Sequence, residues 1–241
     1  MTRQSLWLLA ALALGACGGG ADPTAETDSA LESAAEAAGP GAVASEAADA
    51  PTTGRFEMGT HYTRLSPTQP TSSNADQIEV AEVFWYGCPH CFAFDPLLEQ
   101  WREQQPSYVN FVRVPAVWNP LLQLHARAFY TAEALGKGAE MHAEFFREIH
   151  DRGSRLDSEA QLQQFFVRFN VDAAAFKTAF DSFAVQTKLQ RADELNRRYR
   201  IESVPTIVVN GKYTTDAPLA GSYEELLTLV DELVAAERAG R

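Results

Sequence analysis

Cys88-Pro89-His90-Cys91 puts two thiols two residues apart, a spacing at which a disulfide can open and close within one turn of helix. Cysteine is otherwise scarce: the chain has three in all, and the third, Cys17, ends an apolar leader. A disulfide-stapled scaffold would need several pairs, so the count favours a working dithiol over a framework. Zinc would need about four converging ligands. Two cysteines and scattered histidines do not supply them, and no metal is expected.

The residues around the pair set its chemistry. With Cys88 as helix N-cap, Pro89 falls at the first helical position, where its missing N–H costs nothing, and the N–H groups of His90 and Cys91 face the Cys88 sulfur. The helix dipole contributes roughly 0.3–2 kcal/mol, or about one pH unit of proton affinity; any further stabilisation of a thiolate must come from those N–H groups and from the His90 imidazole. A stabilised thiolate favours the reduced pair, so the disulfide form becomes the stronger oxidant and Cys88 the better leaving group. Cys88, at an exposed helix start, is the sulfur expected to be attacked; Cys91, one turn in, is the buried resolving thiol.

Glu82 lies six residues earlier on a strand face shared with Val80 and Phe84. A buried acid there, with raised proton affinity, could relay the Cys91 proton; the alternative is a structural glutamate reaching solvent. Asp95 reads as a solvated helix residue. His125, His142 and His150 read as ordinary polar or partly packed side chains. Pro205 precedes an apolar strand, where a trans proline is the ordinary form.

The elements that must hold these residues follow from periodicity. Ile78 to Tyr86 is an apolar and aromatic run interrupted by Glu79 and Glu82 alone, the pattern of a strand covered on both faces. Phe94, Leu98 and Trp101 then recur at helical spacing, and Tyr108 to Val114 alternates as a strand, which makes a βαβ unit with the cysteines at its first corner. A long helical stretch follows. Asn119-Pro120 opens a helix through Leu121, Leu124, Ala128 and Leu135; Met141, Phe145 and Ile149 mark a second. Ser158 with Gln161 forms a capping box, Asp172 caps a helix carrying Phe176, Phe180 and Phe183, and Val185 to Tyr199 continues the period. The sheet resumes at Thr206 to Val209, turns at Asn210-Gly211 in a type I′ hairpin and closes with a helix over 223–236. No internal repeat is present.

The first 17 residues read as a lipoprotein signal. Arg3 is followed by an apolar run from Leu6 to Leu14, too short for a membrane span of roughly 20 residues, and Leu14-Gly15-Ala16-Cys17 has the form of a lipobox in which Cys17 takes the lipid. The expected site is the bacterial envelope, facing the periplasm, on an unspecified membrane. Residues 18–54 hold seven acids with no Lys or Arg and almost nothing large and apolar, the composition of a disordered linker. Of the formal charge of −12, much belongs to this segment, and no basic patch points to nucleic acid.

On Gly59-Thr60-His61-Tyr62, Glu82-Val83-Phe84 with CPHC, Val204-Pro205-Thr206 and Val209-Asn210-Gly211-Lys212-Tyr213, the chain resembles DsbA-type thiol:disulfide oxidoreductases. The resemblance implies an α/β, thioredoxin-like fold with an inserted α-helical domain: a first part over 55–119, the insertion over 120–190 and a second part over 191–241. It implies that Cys88, Cys91, Pro89 and His90 form the redox centre, that an acid at Glu82 serves it, and that Val204-Pro205 is cis, with the Val204 backbone pairing an extended substrate. It further implies a monomer with no cofactor beyond the Cys88–Cys91 disulfide, which is donated to reduced exported polypeptides and restored by a quinone-linked membrane partner of the DsbB type. The lipobox and acidic linker depart from the soluble members. Two other readings use the same residues: a reductase or isomerase of this fold, and a non-enzymatic envelope lipoprotein with a fixed structural disulfide. A dimeric isomerase would want a dimerisation domain that 18–54 cannot provide.

Overall fold

The structure, a computed structural model, describes residues 54–241; the leader, Cys17 and all of the acidic linker but Gly54 lie outside the described residues. Its elements in chain order are β1 (Thr63–Arg64), β2 (Ile78–Phe84), α1 (Pro89–Glu103), β3 (Val109–Pro115), α2 (Pro120–Ala134), α3 (Gly138–His150), α4 (Glu159–Val167), α5 (Ala173–Phe180), α6 (Phe183–Arg198), β4 (Thr206–Val209), β5 (Tyr213–Thr215), α7 (Ala217–Ala220) and α8 (Tyr223–Ala239). The strands form one sheet in the order β1-β5-β4-β2-β3. β2 and β3 are parallel, and the other neighbours are antiparallel. This is the α/β architecture with a helical insertion between β3 and β4. A division at residue 190 falls inside α6, which runs unbroken to Arg198.

All seven residues of β2 are buried, as its apolar run requires when both faces are covered. On one face Ile78, Val80, Ile207 and Val209 meet Phe94 and Leu98 of α1 and Leu229 and Leu233 of α8. On the other, Ala81, Val83 and Val208 meet Phe129, Phe146 and Leu162 of the insertion, and Cys88 and Cys91 belong to that second cluster. The two cysteines therefore sit where the insertion closes over the sheet. The parallel register pairs Glu82 with Arg113, which sets the carboxylate beside the guanidinium. A one-residue slip would turn Arg113 to the opposite face.

Polar caps start the helices of the insertion. Asn119, Ser158, Asp172 and Ser182 each accept the N–H three residues on, an interaction usually worth about 1 kcal/mol. Asn210 and Gly211 have φ of 50° and 63°, the pair of positive angles of a type I′ turn, closed by Lys212 N–H on the Val209 carbonyl at 2.9 Å. A side chain at 211 would run into the Gln69 carbonyl, 2.1 Å from an added Cβ, so glycine is needed there twice over. β2 stops at Phe84, two residues short of the apolar run. Trp85 and Tyr86 leave the ladder because the chain turns there, with Cys88 N–H on the Trp85 carbonyl at 3.0 Å.

Candidate active site

The turn after β2 delivers Cys88 to the N-cap of α1, with φ −88° and ψ 118°, and Pro89 to its first turn. Cys88 is 7 % exposed and Cys91 is fully buried; both are free thiols. Cys88 is thus more covered than an open helix start would be. The loop before β4 lies against it, and the Cys88 thiol donates to the Val204 carbonyl at 3.3 Å. The Val204–Pro205 peptide is cis. Pro89 and His90 are exposed. Tyr223, at the start of α8, donates its hydroxyl to the His90 carbonyl at 3.1 Å, lies 3.4 Å from His90 Nδ1 and stacks on Phe94. Nothing in the local sequence marks Tyr223, since its partner is 133 residues away.

The pair is electrostatically unequal. Hydrogen bonding from the Cys91 thiol is the largest influence on Cys88; burial opposes it, the Cys91 and His90 N–H groups and the His90 charge add to it, and the Cys88 thiol is lowered from 9.0 to about 6. No N–H of the first turn caps the Cys88 sulfur in this thiol form; a thiolate, being the stronger acceptor, is what those groups favour. Burial drives Cys91 the other way, far above the ordinary thiol range, with its hydrogen bond to Cys88 and the Glu82 charge adding to the rise. The dominance of the second thiol over the helix start is invisible in a sequence reading that starts from the dipole.

Beneath the pair lies a buried charged cluster. Glu82 is 1 % exposed. Its Oε2 accepts from Arg113 Nε at 3.2 Å, and its Oε1 is buried without a partner. Burial raises its carboxyl from 4.5 to about 7 despite Arg113. Asp95, read from the sequence as solvated, is instead 6 % exposed, because β3 and α3 close over that face of α1. Its Oδ1 accepts from Arg113 Nη2 at 2.9 Å and from His142 Nε2 at 3.0 Å. Burial works against the Asp95 charge, yet the His142 and Arg113 contacts hold its carboxyl below the ordinary range. Arg113 also bonds Glu99. A cleft of about 640 Å³, lined by Asp95, Glu99, Arg113 and His142 among others, opens beside this cluster.

His125 and His142 are more fully buried than the sequence reading has them, whereas His150 is half-buried, and each of the three reaches Trp85 or Tyr86 in the β2–α1 turn. His142 donates from Nε2 to Asp95, which leaves Nδ1 to accept the Tyr86 hydroxyl at 2.9 Å; burial lowers its proton affinity. His125 accepts the Trp85 indole N–H at 3.0 Å and reaches the Leu156 carbonyl at 3.2 Å, and burial lowers it to about 4. His150 donates to the Tyr86 carbonyl at 2.8 Å. Among the described residues no group of three or more His, Cys, Asp or Glu side chains could hold a metal ion, and no helix is long and apolar enough to cross a membrane.

The chain is similar to known proteins over most of its length. Residues 113–228 match the family described as DSBA-like thioredoxin domain. The thiol:disulfide interchange protein DsbA of Pseudomonas aeruginosa is 39 % identical over 184 residues, 76 % of this chain and 87 % of the relative; that of Pseudomonas syringae pv. tomato is 40 % identical over 184 residues, 76 % and 86 % of the two. The crystal structure of Pseudomonas aeruginosa DsbA superposes with a TM-score of 0.73 at 38 % identity, covering 77 % of this chain and 96 % of that one. The oxidoreductase DsbA from Xylella fastidiosa gives 0.70 at 34 % identity over 74 % and 96 %.

Proposed function

We infer the working cycle from one premise: this chain belongs to the DsbA family of thiol:disulfide interchange proteins and is a protein disulfide oxidoreductase acting on reduced polypeptides. The observation that carries the inference is the placement of the pair, with Cys88 at the N-cap of α1 beside the Val204 carbonyl and Cys91 fully buried one turn in; the lowering of the first thiol and the raising of the second agree with it.

In the oxidised enzyme a substrate thiolate attacks Cys88 Sγ. The Cys88–Cys91 bond breaks, its electron pair stays on Cys91, and a mixed disulfide forms on Cys88. Cys91 binds a proton tightly, and Glu82, whose carboxyl titrates near 7 and whose charge reaches Cys91, supplies it. A second substrate thiolate then attacks the substrate sulfur of the mixed disulfide. Cys88 departs as a thiolate, which its low proton affinity makes a good leaving group. Two substrate thiols have become a disulfide and the enzyme pair has been reduced. When the pair is reoxidised, Cys91 gives up its proton and Glu82 recovers it.

The Val204 carbonyl, already within reach of Cys88, supports a role for this loop in pairing with an extended substrate by short β-augmentation. Main-chain pairing asks little of side chains, so a broad range of unfolded polypeptides is accepted. His90 and Pro89 tune Cys88, and the dithiol itself is the only redox group required. The enzyme works as a monomer in the bacterial envelope, facing the periplasm and held by lipid on Cys17, and a quinone-linked membrane partner of the DsbB type reoxidises it.

Replacing each cysteine tests the cycle. Cys88→Ala should abolish oxidation of a reduced unfolded substrate, whereas Cys91→Ala should accumulate covalent conjugates through Cys88. If both variants oxidise substrate as the native enzyme does, the cycle is wrong.

A further inference from the structure

The contacts of His150 bracket the cysteine pair. It is the last residue of α3, in the helical insertion. Its Nε2 donates at 2.8 Å to the carbonyl of Tyr86, two residues before Cys88. Its ring lies flat on Phe92, the residue after Cys91, with centroids 4.8 Å apart and planes 7° from parallel. One side chain from outside the thioredoxin part therefore touches the chain on both sides of the CPHC turn.

That turn is built from the same segments. Cys88 N–H donates to the Trp85 carbonyl at 3.0 Å, and Phe92 N–H donates to the Cys88 carbonyl at 3.1 Å. Displacing Tyr86 relative to Phe92 would therefore strain the turn that carries both cysteines, and Cys91 is the largest influence lowering the Cys88 thiol. The side chains of Trp85 and Tyr86 are held by His125 and His142, so the insertion grips this segment three times. The Tyr86–His142 contact is buried, and the Trp85–His125 contact is partly so. The His150 contact is half-buried and takes a backbone carbonyl that β2, ending at Phe84, leaves beyond its ladder.

We propose that His150 is a positioning residue for the dithiol: by holding the Tyr86 carbonyl and the Phe92 ring together, it fixes the geometry in which Cys91 stabilises the Cys88 thiolate. The helical insertion thereby sets the reactivity of the cysteines as well as covering them. The proposal rests on the exchange chemistry inferred for this site, but it concerns the enzyme alone and is read without any substrate.

The test follows the pH dependence of carbamidomethylation of Cys88 by iodoacetamide in the reduced full-length protein, quantified on the Cys88 peptide by mass spectrometry. Three variants are compared with the native chain. His150→Leu keeps an apolar contact with Phe92 and removes the donor; His150→Gln keeps an N–H donor near the Nε2 position; Phe176→Leu loosens the core of the insertion away from the turn. His150→Leu should raise the midpoint for Cys88 by about half a pH unit or more, which is roughly a threefold loss of thiolate on the acid side. His150→Gln should titrate close to native. Phe176→Leu should melt earlier with its Cys88 midpoint unchanged. A native midpoint in His150→Leu overturns the proposal, and so does an equal rise in His150→Gln or in Phe176→Leu.

Discussion

Glu82 and Cys88 respond to pH in opposite senses, and the signs follow from which protonation state the fold prefers. The Glu82 carboxyl is raised from 4.5 to about 7, so between those values the folded chain keeps a proton that the unfolded chain has lost. Stability therefore falls as pH rises from about 4.5 to 7 and stays lower above, by an amount on the order of 3 kcal/mol. Cys88, lowered from 9.0 to about 6, adds stability to the reduced form that is complete above pH 9 and is lost as pH falls through 6. Glu82→Gln should remove the first dependence and keep the second. Urea unfolding of the reduced proteins at pH 5 and pH 8 would then show the variant gaining on the native chain at the higher pH; parallel behaviour at both values would contradict the raised carboxyl. At this scale the CPHC spacing was legible because its chemistry is local. The burial of Asp95 and the partners of His142, His150 and Tyr223 were not, since each depends on an element far along the chain.

Helix α6 shows how an element is anchored to the sheet by one polar side chain. Asn196 is buried; its Oδ1 accepts from Val117 N–H at 3.3 Å, and its Nδ2 donates to the Pro115 and Ala192 carbonyls at 3.3 and 2.8 Å. Asn196→Ala would leave the Val117 N–H and Pro115 carbonyl without that partner, at a cost of about 1–3 kcal/mol. Denaturant melts should register this loss, while the Cys88 alkylation profile stays native because none of the Asn196 hydrogen bonds goes to the CPHC turn. A melt unchanged by the substitution would show that water replaces the amide at no cost. The helices themselves were readable, because Asn119, Ser158 and Asp172 announce their starts and Phe145, Phe165, Phe176 and Phe180 mark their buried faces; Phe183, expected on the helix that Asp172 caps, instead opens α6 behind its own cap, Ser182, and is exposed. β1, with two residues, and α7, with four, are too short to carry a period. The end of β2 was hidden because Trp85 and Tyr86 extend the apolar pattern, although their side chains are taken up by the insertion.

Across the whole molecule, the seam between insertion and thioredoxin part holds the chemistry, and the proposed lipid on Cys17 would hold that chemistry at a membrane. Cys17→Ser should move the protein from the membrane fraction to the soluble fraction of an expressing bacterium without altering the exchange activity of the globular part; retention on the membrane would remove the lipid anchor from the account. The seam was only partly foreseeable, since sequence order placed an insertion between β3 and β4 but could not show that its histidines reach back to the residues before Cys88. The central claim is that the fold favours the reduced pair, through a Cys88 thiolate, strongly enough to make the disulfide an oxidant. Equilibration of the purified protein with reduced and oxidised glutathione, followed by the redox state of Cys88 and Cys91, measures this directly. A potential above about −180 mV is the predicted result. A value below about −250 mV, in the range of a reductase, would contradict it.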